Sequence, residues 1–423
     1  MTKQLIITVG ASDADIIGHT NAELQAAVDR VAGYGGGEVV IHPGVYEMHD
    51  SLHLRSHVAV RGSGTSTVLH KAASVQTTIP AFLGYGHYDI TVAEPEKLRI
   101  GMGVSIHDDH SMGFYDTVAT LIWQDGNRFG INRFLNHDYH TTNHATVTTI
   151  YPLISGSDIH HAAVVGITIE GNSAENPYMN GCRGGGIFLV QAHDVRLSDC
   201  VVRDFNGDGI SFQQSARTTV EDCQMLNNTG HGLHPGSGSV APVMRRCKCI
   251  GNGNDGVFYC LRVSYSLLED CEIGGNKHDG ISIGERDTNH HIRRNRIVSN
   301  DRFGIYFRDP VPTFGGNDVL IEDNRIGRNC QTGGDAEISI ANTIQHVAIL
   351  RNHFGPAHHN MPVIRVANDC AAIFVNANET DLAYYPIVQT DNNASVSLQS
   401  FTGTLNVGPD CVPPDGMLHL NIR

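Results

Sequence analysis

Short runs of alternating apolar and polar residues fill most of the chain, and clusters of Asn, Asp and Gly separate them. Runs such as Gly280–Gly284 and Val319–Ile321 are too short for an amphipathic helix, which repeats its apolar residues at a 3.6-residue spacing over about ten or more positions. Alternation bounded by turn residues is typical of β-strands. The pattern therefore predicts an all-β chain.

The strand pattern repeats every 23 or 24 residues over the middle of the chain. Each repeat is marked by a glycine followed by an aliphatic residue, the glycines being Gly186, Gly209, Gly232, Gly256, Gly280 and Gly304. A second register holds Cys200, Cys223, Cys247, Cys271, Asn295, Asn324 and Asn352. Asparagines follow most of these five residues later, at Asn228, Asn252, Asn276, Asn300 and Asn329. Three registers with one period indicate a solenoid, in which every repeat packs on its neighbours.

The repeats favour a right-handed parallel β-helix over other solenoids. A leucine-rich repeat has a similar period, but it needs regularly spaced leucines and a helical segment, and the repeats contain neither. Stacked asparagines suit β-helix turns, because each side-chain amide can bond to the coils above and below. The Cys register suits an inward position, where a free thiol packs as a small apolar group.

We predict a single domain over residues 1–423. Thr20–Ala32 is predicted to be a helix with a capping box, and we expect it to cover the open N-terminal end of the solenoid. Residues 79–155 lose the period, which predicts irregular coils and a strand-rich excursion on the side of the solenoid. The remaining segments are regular coils over residues 160–352, inserted loops at 173–183 and 311–316, and C-terminal strands with a tail over residues 353–423.

The composition narrows the partners and the compartment. The 423 residues carry a formal charge of −15, which argues against nucleic acid as a partner. The apolar run Leu5–Val9 is too short for a signal peptide, and no stretch approaches the ~18 apolar residues of a membrane span. We therefore expect no membrane partner and a cytoplasmic protein as written, or a secreted one if the sequence lacks its natural leader. The C-terminal strands leave a homo-oligomer open.

The ten cysteines and 25 histidines are interpreted without a metal site. Four cysteines share one repeat register on coils about 4.8 Å apart, which favours a ladder of free thiols. Cys247 and Cys249 form one isolated C-x-C pair, and no second pair stands at zinc spacing. The clusters His107–His110 and His137–His140 combine His with Asp, but without a third element at a defined spacing we interpret them as polar loops.

On these repeats, and on the segment Gly35–Tyr46 before them, the chain resembles the pectate-lyase-like β-helix superfamily. That superfamily contains polysaccharide lyases, glycoside hydrolases, sugar epimerases, esterases and phage tailspikes, so the resemblance implies the fold and leaves the chemistry open. The segment Gly230–Leu233 is similar to the Gly-His-Gly motif that polygalacturonase-type hydrolases carry one coil after paired aspartates. Here Asp208 stands alone in the preceding coil, and Gly185 occupies the place of another Asp, so the hydrolase machinery is not carried over intact.

Candidate chemistry gathers on one outward strip of the coils, because strand side chains alternate between core and surface. Counted from the repeated glycine, the first outward column is Phe188, Ser211, His234, Phe258, Ser282 and Tyr306. The second is Val190, Gln213, Gly236, Cys260, Gly284 and Arg308. The following turns carry Gln214, Arg262, Glu285, Arg286, Asp287 and Asp309. Aromatic rings stack on sugars, arginines bind carboxylates, and carboxylates act as acids and bases, so the strip predicts a polysaccharide site.

The predicted roles follow from these residue types. Glu285 and Asp287 are the leading acid–base candidates, and His231 and His234 take that place if the enzyme is a lyase. The catalytic set is Asp287, Glu285, His234, Arg308, Asp208 and His231. The substrate-binding set is Arg262, Arg286, Gln213, Gln214, Tyr306, Phe258, Asp309 and Tyr259. Tyr259 has inward parity, so a core position is its alternative, and capping of turns is the alternative for Asp208 and the expected role of Asp255 and Asp279.

Three functions fit this strip, and hydrolysis of glycosidic bonds ranks first. Carboxylates one or two coils apart would lie about 5 or 10 Å apart, near the two separations that glycosidases use. A polysaccharide lyase ranks second, with an arginine to neutralise a uronate carboxylate and a His or Tyr to remove the C5 proton. No cofactor is expected, except that Ca²⁺ would fit a lyase. The third is a non-catalytic glycan-binding solenoid, and an epimerase or an intramolecular glycosyl transferase stays open. The groove is expected to run from Gln213 to Asp309, with the 79–155 excursion as a wall.

Overall fold

The computed structural model describes residues 5–309, 315–341, 343–356, 361–381, 388–390 and 396–397. It is an all-β parallel solenoid of about 13 turns with one short α-helix near the N-terminus, which confirms the predicted β-helix. The chain divides into two compact units. The first unit comprises residues 1–189, 200–211 and 228–230, and the second unit comprises residues 190–199, 212–227 and 231–423.

The helix of the first unit, α1, spans Asn21–Gly33. The Thr20 side chain accepts a hydrogen bond from the N–H of Ala22, and the Glu23 carboxylate accepts one from the N–H of Thr20 at 3.0 Å. The predicted capping box is therefore present, and the helix is displaced by one residue from its predicted bounds. Its buried face consists of Leu24, Ala27, Val28 and Val31.

Parallel strands build the solenoid coils of the first unit. Gly37–Ile41 pairs with Leu5–Gly10 and with Val58–Lys71, and Ala163–Glu170 pairs with Val58–Lys71 and with Val201–Arg203. The strands of these coils are Leu5–Gly10, Ile16–Ile17, Gly37–Ile41, Gly44–Met48, Leu52–His53, Val58–Lys71, Ile154–Ser157, Ala163–Glu170 and Val201–Arg203. Two further strands, Ile187–Val190 and Ile210–Gln213, fall across the division between the units.

A six-stranded antiparallel sheet follows Val58–Lys71 in the sequence, and it confirms the predicted strand-rich excursion. It has a buried core of its own, which includes Ile90, Leu121 and Phe129. Its strands are Gln76–Thr78, Asp89–Thr91, Gly103–His107, Thr117–Asp125, Arg128–Ile131 and Thr146–Thr148. Three short 3₁₀ helices lie at Pro95–Lys97, Thr141–Asn143 and Ser173–Glu175.

Each regular coil of the second unit contributes three short strands, and each strand pairs in parallel with its equivalents on neighbouring coils. In chain order the strands are Arg196–Ser198, Thr219–Glu221, Gln224–Leu226, Leu233–Gly236, Val243–Arg245, Lys248–Ile250, Val257–Phe258, Leu267–Glu269, Glu272–Gly274, Ile281–Ile283, His291–Arg293, Arg296–Val298, Ile305–Phe307, Val319–Glu322, Arg325–Gly327, Ile338–Ile340, Gln345–Leu350, His353–Phe354, Ile364–Val366, Ala371–Asn376, Glu379–Thr380, Val388–Thr390 and Val396–Ser397.

The repeated glycines of the second unit stack in one column. The N–H of Leu233 donates to the carbonyl of Gly256, and the N–H of Val257 donates to the carbonyl of Gly280, both at 2.9 Å. A Cβ atom on Gly256 would lie 2.7 Å from the carbonyl oxygen of Gly280. Only glycine allows this approach of the backbones, so the predicted stacking is confirmed and has a steric cause.

Asparagine side chains form a continuous ladder through the second unit. The Nδ2 atom of Asn252 donates to Oδ1 of Asn276 at 3.0 Å, and Asn276 and Asn300 repeat this bond to Asn300 and Asn329 at 2.8 Å each. The ladder ends on Glu337, whose Oε2 accepts from Asn329 at 2.6 Å. A second ladder contains Asn295, Asn324, Asn352 and Asn378. All of these amides except the partly buried Asn378 are buried. Because each is bonded to its neighbours, the amides tie each coil to the next.

The Cys column continues the second ladder in the same register. The N–H of Cys271 donates to Oδ1 of Asn295 at 2.9 Å, and the N–H of Cys247 lies 3.4 Å from the sulfur of Cys271. No disulfide joins the cysteines that the structure describes, and those of the predicted column are buried. The prediction of buried free thiols is confirmed.

Ion pairs between arginine and aspartate lie in the turns just before the Cys column. Arg246 contacts both carboxylate oxygens of Asp222 at 2.8 and 2.7 Å, and Arg294 contacts both oxygens of Asp270 at 2.9 Å. All four residues have left-handed φ angles between 53° and 55°. The side chains are 39–47% exposed, so each pair stabilises the coil stack only modestly.

The C-terminal predictions are described in part. One of the C-terminal strands expected within residues 353–423 is observed as Ala371–Asn376. Beyond residue 381, only residues 388–390 and 396–397 fall within the structure, and both segments are strands. Most of the predicted 311–316 insertion and the tail at Pro413 lie outside the described residues. Within the described chain, no helix has the length and apolar content that a membrane crossing requires.

Candidate functional site

The predicted strip lies almost entirely in the second unit, on the strands that follow the repeated glycines. Leu233, Val257 and Ile281 point inward and are fully buried, as their strand parity predicts. Their outward neighbours differ in exposure. Phe258 is half-buried, whereas His234 and Ser282 are only 3% and 1% exposed. Outward parity in this column therefore does not mean exposure, because the Phe258 ring packs against His234 and the Arg308 guanidinium bonds to Ser282.

Three rings pack together at the centre of the strip. His231 stacks on Phe258 with a centroid distance of 4.2 Å and an interplanar angle of 8°. His234 meets the same Phe258 ring edge-on at 5.1 Å, and the two imidazoles are 5.5 Å apart. The Nε2 atom of His234 lies 3.5 Å from Nε2 of Gln213, which is also buried. His231 is the more accessible imidazole, with 14% of its side chain exposed.

A buried carboxylate lies directly beside His231. Oδ2 of Asp255 is 3.3 Å from Nδ1 of His231, and 5% of the Asp255 side chain is exposed. Burial opposes ionisation of this carboxyl, but the hydrogen bond and charge of His231 outweigh it, and the pKa of Asp255 is lowered. The backbone N–H of Asp279 adds a bond to Oδ1 at 2.8 Å. Asp255 is thus an ionised partner that can orient the imidazole.

The next coil places a second carboxyl in the same column. Oδ1 of Asp279 accepts the N–H of Phe303 at 3.2 Å and lies 3.6 Å from Nε of Arg302. Burial and the charge of Asp255 raise the pKa of Asp279 to about 7. Two stacked carboxyl groups with pKa values displaced in opposite directions are a common feature of acid–base sites.

An aromatic shelf with a cation continues the strip. Tyr306 stacks on Phe303 at 4.6 Å with an angle of 17°. The Arg302 guanidinium lies 5.5 Å from both ring centroids, and 37% of its side chain is exposed. This pair can offer a sugar ring a flat contact and an acidic sugar a positive charge.

Arg308 is held by the protein on several sides. Its guanidinium lies 4.3 Å above the Phe258 ring, and it donates to Oγ of Ser282 at 2.8 Å and to the carbonyl of Tyr259 at 2.6 Å. It is also 3.8 Å from Oδ2 of Asp287. These contacts fix the guanidinium in place, with a quarter of the side chain exposed.

Asp287 closes a turn rather than facing the strip. Its side chain is completely buried, and its two oxygens accept the N–H groups of Val263 at 2.9 Å and Gly284 at 2.7 Å. Burial raises its pKa to about 7, against the opposing charge of Arg308. The contacts are those of a structural carboxyl, and they give it no path to a surface ligand without rearrangement.

The remaining predicted ligands lie on the turn after these strands. Arg286 donates to the neighbouring Glu285 at 2.6 Å, and their side chains are 42% and 30% exposed. Arg262, Arg286 and Gln214 are exposed and share a left-handed conformation, with φ between 51° and 59°. The turn therefore presents polar and basic side chains beside the strip, and Asp309 is exposed at its end.

Besides Asp287, two further predicted site residues do not line the strip. Tyr259 is fully buried, stacks on His290 at 4.3 Å and accepts a hydrogen bond from Ser266 at 3.0 Å, which matches the core alternative. Asp208 belongs to the first unit and is buried. Burial, and then the Asp208 charge, raise the pKa of the nearby Tyr178.

The sequence prediction missed part of this set. Asp255 and Asp279 do cap turns as expected, since each accepts an N–H from the next coil, but they also meet His231 and Arg302. Their position just before the repeated glycines, in the column of His231, was the available signal. In the first unit, the Asp108 oxygens accept the N–H groups of His110, Ser111 and His140, contacts that suit the expected polar loops. The proposed wall of the strip stays a prediction.

A family model and several solved structures match this chain. The family model described as "Right handed beta helix region" matches residues 130–262 and 185–337. No curated protein matches the chain by sequence. Among solved structures, the A-module of the mannuronan C-5 epimerase AlgE4 from Azotobacter vinelandii is similar, with a TM-score of 0.61 and 14% identity over 90% of this chain and 96% of that chain.

Two further structures share the fold. A protein titled glycoside hydrolase has a TM-score of 0.51 and 12% identity, over 96% of this chain and 97% of its own. A tailspike of E. coli bacteriophage HK620, solved with a pentasaccharide, has a TM-score of 0.52 and 12% identity, over 89% of this chain and 60% of its own. At these identities the likeness establishes architecture alone. The chain is a right-handed parallel β-helix protein.

Proposed function

We propose that this protein is an enzyme that acts on an acidic polysaccharide along the strip of the second unit, with His231 as its acid–base group. The observation that carries the proposal is the contact of a partly exposed imidazole with a buried carboxylate, His231 with Asp255 at 3.3 Å. The imidazole is also clamped flat on Phe258. A base that is oriented by an ionised partner and by packing is suited to proton transfer.

The reaction class that this set supports best is removal of the C5 proton of a uronate. That proton becomes acidic enough when a cation neutralises the neighbouring carboxylate. Arg302, a partly exposed cation 3.6 Å from Asp279, would supply that charge. His231 would take the proton. Loss of the 4-O-linked sugar then gives an unsaturated uronate, whereas return of a proton to the other face gives the epimer. Tyr306 and Phe303 would support the sugar ring by stacking.

The structural neighbours support a polysaccharide substrate as an analogy. One is named a mannuronan C-5 epimerase, one a glycoside hydrolase, and one was solved with a pentasaccharide. Folds host many activities, so the proposal rests on the residues above. The predicted hydrolase ranking moves to second place, because Asp287 is buried and Glu285 is paired with Arg286.

Hydrolysis remains the second candidate for one reason. Asp279 has a pKa of about 7 and stands one coil from the ionised Asp255. A coil spacing of about 4.8 Å is near the separation of the two carboxyls in retaining glycosidases. In that case Asp279 would be the general acid and Asp255 the nucleophile, and the product would be a new reducing end of retained configuration.

A glycan screen tests both candidates. Acidic and neutral polysaccharides are incubated with the protein, and the products are read by reducing ends, by ultraviolet absorbance and by ¹H NMR for epimers. Ultraviolet absorbance or epimerisation is the expected result, and reducing ends without absorbance would favour hydrolysis. A lack of any turnover over a broad panel would contradict an enzymatic role.

Two matched variants assign the activity to the strip. His231→Gln should lower kcat at least about 10²-fold, the usual scale for a general acid or base, with an unchanged unfolding midpoint. His291→Gln is the control, because His291 also contacts a carboxylate, that of Glu322 at 2.8 Å, but Glu322 pairs with Arg351 and does not belong to the strip. Asp287→Asn should keep most of the turnover. Loss of activity in Asp287→Asn with normal activity in His231→Gln would return the role to Asp287.

A further inference from the structure

Three histidines of the first unit meet at the surface, and neither the predicted strip nor the excursion includes them. His57, His160 and His161 are all exposed, and one ligand nitrogen from each lies within 4.8 Å of the others. The Nδ1 atoms of His160 and His161 are 3.1 Å apart. The ring of His57 lies 4.7 Å from that of His160 and 5.4 Å from that of His161.

The backbone brings these residues together. The strands Leu52–His53 and Ile154–Ser157 pair in parallel, so the turns that follow them are stacked on successive coils. The N–H of His57 donates to the carbonyl of His160 at 3.1 Å, and the N–H of His160 donates to Oγ of Ser56 at 3.1 Å. The cluster is therefore set by main-chain contacts.

The two turns share one unusual conformation. His57 and His161 have left-handed φ angles of 62° and 54°, and Ala59 pairs with Ala163 just beyond them. They thus occupy equivalent positions one coil apart, and their rings are stacked with an angle of 29°. A left-handed φ is uncommon for residues other than glycine, so the direction in which these imidazoles project is restricted.

We propose that His57, His160 and His161 form a binding site for a late first-row transition metal such as Zn²⁺. Neutral imidazole is a preferred ligand of Zn²⁺, Cu²⁺ and Ni²⁺, whereas Mg²⁺ and Ca²⁺ prefer oxygen. Zn–N bonds of about 2.0–2.1 Å in a tetrahedral site put two nitrogens about 3.3 Å apart, close to the observed 3.1 Å between His160 and His161. Small side-chain rotations at the surface would bring His57 to the same distance.

Three protein nitrogens leave at least one coordination position for water or another ligand. Because the ligands come from two successive coils, a bound ion would join those coils and stabilise the folded first unit by linkage. The sequence alone does not reveal this cluster, because 104 residues separate Ser56 from His160 and only the stacking of the coils brings them together. The inference is independent of the proposed enzymatic function.

Titration of the full-length, untagged protein with ZnCl₂ tests the site. Calorimetry at neutral pH should show one equivalent of saturable binding, and the melting temperature should rise with zinc. Cu²⁺ bound in its place should give an electron paramagnetic resonance spectrum with nitrogen hyperfine structure. His57→Asn and His161→Asn, which retain a residue tolerant of left-handed φ, should each weaken zinc binding at least tenfold, and so should His160→Gln.

His87→Asn is the matched control, because His87 is exposed in the excursion of the same unit, and it should bind zinc like the wild type. All variants alter surface side chains, so circular dichroism should show an unchanged fold. Absence of stoichiometric binding would overturn the proposal. Equal binding by wild type and His57→Asn would do the same, because the ion would then lie elsewhere.

Discussion

Two columns of the second unit run through the same coils and differ in what they repeat. The amide ladder from Asn252 to Asn329 has one residue type in every coil, and each amide makes the same bonds as the one before. The strip column holds His231, Asp255 and Asp279 in successive coils. Identical asparagines use one another's hydrogen-bonding groups, so none of these groups is left to bind a ligand.

The residues of the strip column differ from coil to coil, and their groups are not all used to hold the stack together. Asp255 still caps the next coil by accepting the N–H of Asp279 at 2.8 Å, and Nδ1 of His231 lies 3.2 Å from the backbone nitrogen of Asp255. Their side chains also perturb one another, which lowers the pKa of Asp255 and raises that of Asp279. In this solenoid the regular column maintains the stack, and the departures from regularity carry the candidate chemistry.

The largest expected effect is on catalysis. Asp255→Asn removes the ionised partner of His231, and kcat on the identified glycan should fall about 10²–10³-fold because the imidazole loses its orientation and charge support. The unfolding midpoint should change little. Asp270→Asn is the control, since Asp270 belongs to the outer Arg294 ion pair. Equal kcat values for Asp255→Asn and Asp270→Asn would contradict a catalytic role for the strip.

The amide ladder should show the reverse behaviour. Asn276→Ala deletes bonds to Asn252, Asn300 and the carbonyl of Cys249, and it leaves buried polar groups without partners. The free energy of unfolding should fall by about 2–4 kcal/mol, with normal kcat per folded molecule. Chemical denaturation measures the loss. Asn254→Ala, at a partly exposed position nearby, should leave the free energy of unfolding nearly unchanged. A similar loss of stability in this variant would show that the ladder bonds do not cause the effect of Asn276→Ala.

The pH dependence of stability sharpens the contrast. Asp279 has a folded pKa of about 7 against an ordinary value of 3.8, so the folded state binds more protons than the unfolded state between these values. Its contribution therefore becomes less favourable as pH rises from about 4 to about 7. Relative to wild type, the free energy of unfolding of Asp279→Asn should therefore rise by about 3 kcal/mol between pH 4.5 and pH 8, because one pKa unit corresponds to about 1.4 kcal/mol. A pH-independent difference between the two proteins would contradict the raised pKa.

The smallest expected effect on stability concerns Cys271, which precedes Asn295 at the start of the second asparagine ladder. Cys271→Asn places an amide in the column of Asn295, whose Oδ1 already accepts the N–H of Cys271 at 2.9 Å. The new amide can extend the ladder by one coil, so the free energy of unfolding should change by less than about 1 kcal/mol. Cys271→Leu is the comparison, because overpacking of the buried column should cost about 1–3 kcal/mol. A large loss in Cys271→Asn would show that the column requires the thiol.

The sequence by itself determined the architecture. The registers of Gly, Cys and Asn have one period, and each member makes the same contacts in every coil, so a one-dimensional repeat translates directly into a stack. The helix at Asn21–Gly33 was equally predictable, because its capping box is a local interaction between Thr20 and Glu23. Tyr259 was assigned to the substrate-binding set, and its full burial agrees instead with the core alternative that its inward parity offered.

Only the tertiary structure decided which polar residues are accessible and which meet. Asp287 and His231 are both polar residues near a repeated strand, yet the first is sealed by two backbone N–H groups and the second is partly open beside Asp255. The alternation of apolar and polar residues predicts on which side of a strand a side chain lies, but not whether other side chains cover it. His57 and His160 come together only because two distant turns share a place in the stack. Burial and long-range contact depend on the volumes and positions of neighbouring coils, which no local pattern contains.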